Sequence, residues 1–315
     1  MHWRSKAKIQ SLIALLPSTL SYPAYYWVQR HFGSLRKVDP RNTFRKVVAA
    51  ADRVTRAGGS LLDCTIIEIG TGRHLNASVG LWLLGAGKVT TVDRNPYLRP
   101  ELVREHLEYV REHTQEIRDI FGSRLRRDRL DALLAMTASQ WTIDGLMELC
   151  AIDYVAPCDA TALSLAPGSY DIQLSFNVFE HVPPDVLQAI LREGNRVVKP
   201  EGLFVHRIDY SDHFSHSDKS ISPINFLQFD AAEWDRIAGN RYMYMNRLRV
   251  DDFVNMFQNV GHTILLVDSD VDPAVRDLLR KGLITLDPEF AKRSEDVLAT
   301  TGSWFVTSRA ASLAR

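Results

Sequence analysis

The sequence predicts an α/β fold in which helices wind both faces of a mostly parallel sheet. Three observations predict it. Short apolar runs of strand length alternate with stretches of helical periodicity, the pattern of strands joined by helical crossovers. The first such run, residues 64–69, stops at the glycine turn Gly70-Thr71-Gly72 and leads into a helical stretch. The second ends on an acid, Asp93, about 20 residues after that turn, where open α/β sheets bind ligands.

Each element follows from local signals. A basic segment, residues 35–45, precedes a helix that Asn42 or Thr43 caps and that runs to about Arg56. Phe44, Val47, Val48, Ala51 and Val54 fall at helical spacing within it, and Gly58-Gly59 ends it. After strand 64–69 come a helix over 74–84 and strands over 89–92, 152–156 and 170–176. A helix over 186–198 is ended by Pro200 and Gly202 and followed by strand 203–208. Residues 250–260 read as a helix, and 262–267 and 303–308 as strands.

Two connections exceed ordinary length. Residues 94–150 carry helical spacing at Leu102, Leu107, Val110, Ile117, Leu130, Leu133, Leu134 and Leu146. Residues 210–246 are polar and weakly periodic, as substrate-recognition loops are. The expected division is an N-terminal helical or amphipathic segment, 1–42, and a main domain, 43–315, with insertions at about 94–150 and 210–246. These additions are expected to form a helical cap over the carboxyl edge of the sheet.

The N-terminus admits three readings. Arg4, Lys6 and Lys8 precede the apolar run 9–16, and Pro17 and Pro23 interrupt the residues beyond it. The segment is a helix packed on the body, an amphipathic element resting on a membrane surface, or the start of a secretory signal. In the second reading Tyr22, Tyr25, Tyr26 and Trp27 are interfacial anchors and the contact spans residues 9–30. No apolar run approaches the roughly 20 residues that span a bilayer.

Composition excludes some chemistry. Lys+Arg and Asp+Glu are 38 each, which argues against a general electrostatic grip on nucleic acid. Cys64, Cys150 and Cys158 lack metal-ligand spacing and are odd in number, so reduced thiols are expected and no metal ligand is assigned.

The glycine turn lets the backbone approach a ligand closely beside the free N–H groups of a helix start. Asp93 either accepts two hydrogen bonds from a ribose diol or caps the turn at Asn95-Pro96. The pattern Gly70-x-Gly72-x-x-Leu75 lacks the third small residue of a dinucleotide fingerprint.

The chain here resembles the class I S-adenosylmethionine-dependent methyltransferases over roughly residues 61–267. The residues that carry the likeness are Glu68-Ile-Gly70-Thr71-Gly72, Asp93, Asp159-Ala160, the stretch from Tyr170 through Asn177 to Glu180-His181-Val182, and Arg196-Val-Val-Lys199-Pro200-Glu-Gly202. A narrower likeness, on Val205-His206-Arg-Ile-Asp209-Tyr-Ser211-Asp212-His213-Phe214, is to bacterial methyltransferases of unassigned substrate. The resemblance implies a Rossmann-like sheet of seven strands, the last antiparallel, and S-adenosyl-L-methionine as cofactor. It implies that Glu68, Gly70, Thr71, Gly72, Asp93, Arg94, Asp159, Ala160 and Asn177 bind that cofactor, with Asp159-Ala160 at the adenine edge. His74 departs from the family, which often has a glycine there. An intracellular cofactor argues against the secretory reading and places the chain in the cytoplasm, with or without membrane contact.

Methyl transfer from a sulfonium needs alignment and dryness more than acid–base help, and a base only when the acceptor must lose a proton. Candidate bases are His181, His206 and His213. The cluster His206, Asp209, Asp212, His213 and His216 is an acceptor pocket, a base or a metal site. Asn177 stands where metal-binding relatives have a glutamate. Arg241, Arg247 and Arg249 either hold an anionic group of the acceptor or form a solvated face. Phe226, Trp234, Tyr242 and Tyr244 line an acceptor pocket or pack among themselves. The expected activity is methyl transfer to a small or lipid-linked molecule, such as a sugar or other natural product. The alternatives are a nicotinamide-dependent oxidoreductase, an inactive binding module and, least favoured by charge, a nucleic-acid methyltransferase.

Overall fold

A computed structural model describes residues 1–310. Two N-terminal helices, α1 (Trp3–Ala14) and α2 (Ser18–Phe32), precede α3 (Arg41–Arg56), β1 (Thr65–Ile69), α4 (Asn76–Leu83) and β2 (Lys88–Val92). Four helices then fill the first long connection: α5 (Pro100–Glu112), α6 (Thr114–Phe121), α7 (Arg127–Thr137) and α8 (Ile143–Leu149). Next come β3 (Ile152–Val155), β4 (Tyr170–Phe176), α9 (Pro184–Val197), β5 (Val198–Asp209) and α10 (Ala231–Ala238). The chain closes with α11 (Val250–Asn259), β6 (His262–Val271), α12 (Pro273–Arg280), α13 (Glu295–Ala299) and β7 (Thr300–Arg309).

The seven strands form one sheet in the order β3-β2-β1-β4-β5-β7-β6. Strands β1 to β5 are parallel, and β7 enters between β5 and β6 antiparallel to both. Strand alternation divides the core. Ile66, Ile172, Val205 and Val306 pack with α3, α4 and α5–α8 on one face. Ile208 and Phe305 pack with α9 and α11 on the other.

Several expectations shift. Helix α3 starts at Arg41 behind Pro40, with no side-chain cap, so Asn42 and Thr43 lie inside its first turn. Strands β5, β6 and β7 outrun their apolar cores because the antiparallel ladder continues to Gly302, pairing Asp209 on one side and Asp270 on the other. The first insertion is not a lid over the carboxyl edge. Its buried residues share one cluster with α3 and α4, extending a helical layer on that face of the sheet. Its α7 is tied near the amino end of β2, where Arg129 Nη1 donates to Trp82 O and Ala86 O, each at 2.7 Å.

The second insertion and the N-terminus make a separate small core. Trp3 and Ala7 of α1 pack with Phe214, Phe226, Trp234 and Phe290. Trp3 N donates to Asp218 Oδ2 at 2.8 Å, and Ser21 Oγ lies 2.5 Å from Tyr242 OH. Helix α2 is also clamped to α5, where Arg30 grips Glu105 with both terminal nitrogens at 2.9 and 2.7 Å. The N-terminal segment is thus packed on the body.

One buried cation joins the C-terminal half. Arg249 is fully buried, and its guanidinium donates to Tyr210 O at 2.7 Å, Leu298 O at 2.9 Å and Thr300 O. It ties the end of β5 to the start of β7. Replacing Arg249 with Met strands these carbonyls, so Arg249→Met is expected to lose about 3–5 kcal/mol in urea unfolding. A loss below about 1 kcal/mol would show that the tie is dispensable.

Candidate active site

A cavity of about 960 Å³ opens at the carboxyl ends of β1, β2 and β4. The glycine turn forms part of its wall. Gly70 has φ +90° and donates its N–H to Val92 O at 2.8 Å. A Cβ there would stand 2.5 Å from Val178 Cγ2, so the approach of the two loops requires glycine. Gly72 has φ +70° with open space around it, so conformation alone selects it.

Asp93 braces the turn. Its Oδ2 accepts from Gly72 N and its Oδ1 from Asn95 N, both at 2.9 Å. The capping role is therefore real. Each oxygen keeps a further lone pair, and the residue lines the cavity. Burial raises its pKa, against the pull of those two amides. Glu68 is buried behind the turn, takes a 2.6 Å hydrogen bond from Ser78 Oγ, and is pushed by burial up to about 7. Thr71 Oγ1 lies 2.7 Å from Thr91 Oγ1.

Arg94, Asp159, Ala160 and Asn177 also line the cavity. Asp159 holds its own turn through Thr161 N at 2.9 Å and Thr161 Oγ1 at 2.7 Å, which lower its pKa. Asn177 adopts φ +55°, and its N–H donates to Arg207 O at 2.8 Å. Its side-chain oxygen is buried with no partner among the described residues. His74 reaches the cavity wall and packs edge-on against His106 of α5, ring centroids 4.7 Å apart. The first insertion thus supports His74 from behind.

The three candidate bases separate. His181 lines the cavity, and its Nδ1 lies 2.9 Å from Tyr244 O. A carbonyl only accepts, so Nδ1 carries the proton and Nε2 presents its lone pair. Water reaches the ring, yet crowding by protein, followed by His213, pushes its pKa down. His213 stands behind it, ring centroids 4.9 Å apart, with Nε2 3.6 Å from Asp209 Oδ2, beyond hydrogen-bond length. Burial alone would raise the pKa of Asp209, but His213 and the Ser211 hydroxyl and amide hold it below the usual range.

His206 does not reach the cavity. It is fully buried, stacked on Phe179 at 4.2 Å between ring centroids, with Nδ1 2.9 Å from Ser175 Oγ. The side-chain alternation of β5 turns it into the core. Burial, with His262 adding, lowers its pKa to about 3.

The other candidates divide similarly. Arg241, Tyr242 and Tyr244 line the cavity. Arg247 is buried and donates to Phe229 O at 2.6 Å, Arg249 ties β5 to β7, and Phe226 and Trp234 belong to the small core. Among the described residues two groups bring potential metal ligands within 4.8 Å of one another, Glu180–His181–His213 and Asp209–His213–His216. Glu180 is buried with both carboxylate oxygens unpartnered among the described residues, and burial drives its pKa well up. Sequence reasoning missed Thr43 and Lys46 of α3, Arg73 and Tyr97, all on the cavity wall. Arg73 and Tyr97 follow the glycine turn and Asp93 in sequence, where position was the available signal, whereas Thr43 and Lys46 carry no motif and reach the site only through the packing of α3.

Residues 133–206 match the family described as "Methyltransferase domain". That stretch is thus similar to a methyltransferase domain over 74 of the chain's 315 residues. The match spans β3, β4, α9 and most of β5, and begins inside the first insertion, after the glycine turn. No curated protein matches the chain. Among solved structures it is similar to an S-adenosylmethionine-dependent methyltransferase from Mesorhizobium loti, at 14% identity and TM-score 0.43, covering 82% of this chain and 96% of that one. It is similar to magnesium protoporphyrin IX methyltransferase from Synechocystis at 12% identity and TM-score 0.44, covering 86% and 85%. It is similar to geranyl diphosphate C-methyltransferase from Streptomyces coelicolor at 10% identity and TM-score 0.45, covering 83% and 80%. The residues present fit S-adenosyl-L-methionine, since the unpartnered buried oxygen of Asn177 lies on the wall of the same cavity as Asp93 and the glycine turn.

The placement of His206 has a pH consequence. Its folded pKa, about 3, lies below the unfolded value near 6.5, so only the unfolded chain gains a proton as pH falls below 6.5. Stability is therefore unaffected by this group above pH 6.5 and lost below it, by about 2 kcal/mol at pH 5. In His206→Phe the drop in unfolding free energy between pH 8 and pH 5 should be smaller by that amount, while cofactor affinity persists. The loss of the Ser175 partner is the same at both pH values. Equal drops in the two proteins would contradict this account.

Proposed function

We propose that this protein is an S-adenosyl-L-methionine-dependent methyltransferase that moves a methyl group onto a small or lipid-linked acceptor, such as a sugar or other natural product. The observation that carries this reading is the continuity of one cavity. It joins the glycine turn, Asp93 and Asn177 to Lys46, His181, Arg241, Tyr242 and Tyr244, which lie outside the nucleotide-binding turns.

In this reading Glu68, Gly70, Thr71, Gly72, Asp93, Arg94, Asp159, Ala160 and Asn177 hold the cofactor. Asp93 accepts from the ribose hydroxyls, Asp159-Ala160 meets the adenine edge, and Asn177 turns its free oxygen to the ligand. The bound cofactor supplies a sulfonium methyl group with a thioether leaving group. His181 takes the acceptor's proton at Nε2, the nitrogen left open by its hydrogen bond to Tyr244 O. Asp209, behind His213, favours the charge that forms on the His181 ring, while the neighbouring His213 opposes it. Arg241 pairs with an anionic group of the acceptor, and Tyr242 and Tyr244 pack on its apolar or sugar surface.

The working division is residues 1–42 as an N-terminal helical segment and 43–315 as the methyltransferase domain. Among the described residues no helix is long and apolar enough to cross a membrane. The reading places the enzyme in the cytoplasm, with peripheral membrane contact through residues 9–30.

Calorimetry should show S-adenosylmethionine binding more tightly than NAD, and Asp93→Ala should weaken it at least tenfold, about 1.4 kcal/mol. Tighter NAD binding would replace this reading with an oxidoreductase, and full affinity in Asp93→Ala would remove the ribose role. Release of S-adenosylhomocysteine over a panel of sugar, natural-product and lipid-linked acceptors measures transfer. His181→Asn should cut kcat by about 10²–10⁴ with cofactor affinity intact. An unchanged kcat would leave His181 as a wall residue only.

A further inference from the structure

The N-terminal helices bury one side and leave the other unpartnered. Helix α1 buries Trp3, Ala7 and Gln10, while Ile9 and Leu12 fall on its opposite side and Leu15 and Leu16 are exposed in the turn that follows. Helix α2 turns Ser21 inward, while Leu20 and Trp27 face out. Among the described residues, eight of the thirteen exposed large hydrophobic side chains lie within residues 1–32. Leu12 is 66% exposed, Leu15 82%, Leu20 60% and Phe32 70%. Such a concentration on a water-facing surface marks a binding face.

Charge identifies the occupant. Residues 1–38 contain six Lys or Arg and no Asp or Glu, in a chain whose total charge balances. Arg30 is neutralised by Glu105, but Arg4, Lys8, Arg36 and Lys37 have no carboxylate within ion-pair distance among the described residues. A concentration of exposed apolar side chains that includes a tryptophan, accompanied by free cations, suits the interface of an anionic bilayer. It suits a second copy of this chain poorly, because two such surfaces repel. A cleaved leader is equally poor, since Trp3, Ser21 and Arg30 tie this segment to the body.

We propose that the α1–α2 hairpin docks on an anionic lipid surface, with Leu12, Leu15, Leu16, Leu20, Trp27 and Phe32 entering the headgroup–acyl boundary. The inner side of α2 meets the cavity wall, since Tyr25 stacks on Tyr242 with ring centroids 3.9 Å apart. One helix is therefore shared between the bilayer-facing surface and the site. Docking does not rest on the methyl-transfer reading, and cofactor calorimetry fails or succeeds independently of it.

The test is co-sedimentation of the full chain with vesicles of phosphatidylcholine, with and without about 25% phosphatidylglycerol. Binding is expected on the anionic vesicles only, weakening as salt rises to about 0.5 M. The exposed triple variant Leu15→Glu, Leu16→Glu, Leu20→Glu should bind at least about tenfold more weakly, with an unchanged melting curve and cofactor affinity. Lys8→Glu with Lys37→Glu should remove the preference for anionic lipid. Absence of binding by the natural chain, or equal binding by the triple variant, overturns the proposal. So does a dimer in light scattering that the triple variant abolishes, since the patch would then belong to a second copy.

Discussion

Everything at the site depends on the reversal of strand order at β1. Strands β2 and β3 extend the sheet on one side of β1, and β4 and β5 on the other. Helix α4 therefore leaves β1 on one face, while α9 crosses from β4 on the opposite face. The loops leaving β1 and β4 diverge and open a crevice between them. Both loops are held in backbone conformations that ordinary residues avoid, with φ positive at Gly70, Gly72 and Asn177. The crevice is thus set by topology, and its lining by the few residues that tolerate that geometry.

Around the crevice the protein keeps an unusual set of buried polar groups. Some are satisfied and structural. Arg249 spends its guanidinium on backbone carbonyls and joins β5 to β7. Others are left open. Asn177 Oδ1 and both oxygens of Glu180 have no partner among the described residues, and burial favours the uncharged form of Glu180. An unpaired polar atom in low dielectric is costly, so such atoms are expected where a ligand completes them. Lys46 lies close enough to Glu180 and Asp209 for their charges to bear on it. The polar set reaches from α3 through the loop after β4 to the end of β5.

Much of this was legible in the sequence. The glycine turn, Asp93, Asp159-Ala160 and Asn177 sit at the ends of strands, where local pattern and position coincide, and all of them line the cavity. The acceptor half was hardly legible. His206 and His213 are seven residues apart and look alike in sequence, yet strand alternation sends one into the core and the loop carries the other behind His181. Arg241, Arg247 and Arg249 form a run of cations. One faces the cavity and two are consumed by backbone carbonyls. Lys46 carries no motif at all and arrives because α3 packs against α4 and β5.

By itself the sequence determined the alternation of strands and helices, the ligand-binding turn and the acid that follows it. These depend on short-range physics: periodicity, glycine conformation and the polarity of strand ends. Only the tertiary structure decided where the two insertions go. The first has enough amphipathic helix to build a layer against α3 and α4, so it widens one face of the sheet and props His74. The second cannot bury its own aromatics, so it borrows Trp3 and Ala7 from α1 to complete a core. That long-range pairing brings α2 beside the cavity and leaves its outer side unpartnered, an outcome that no local pattern encodes.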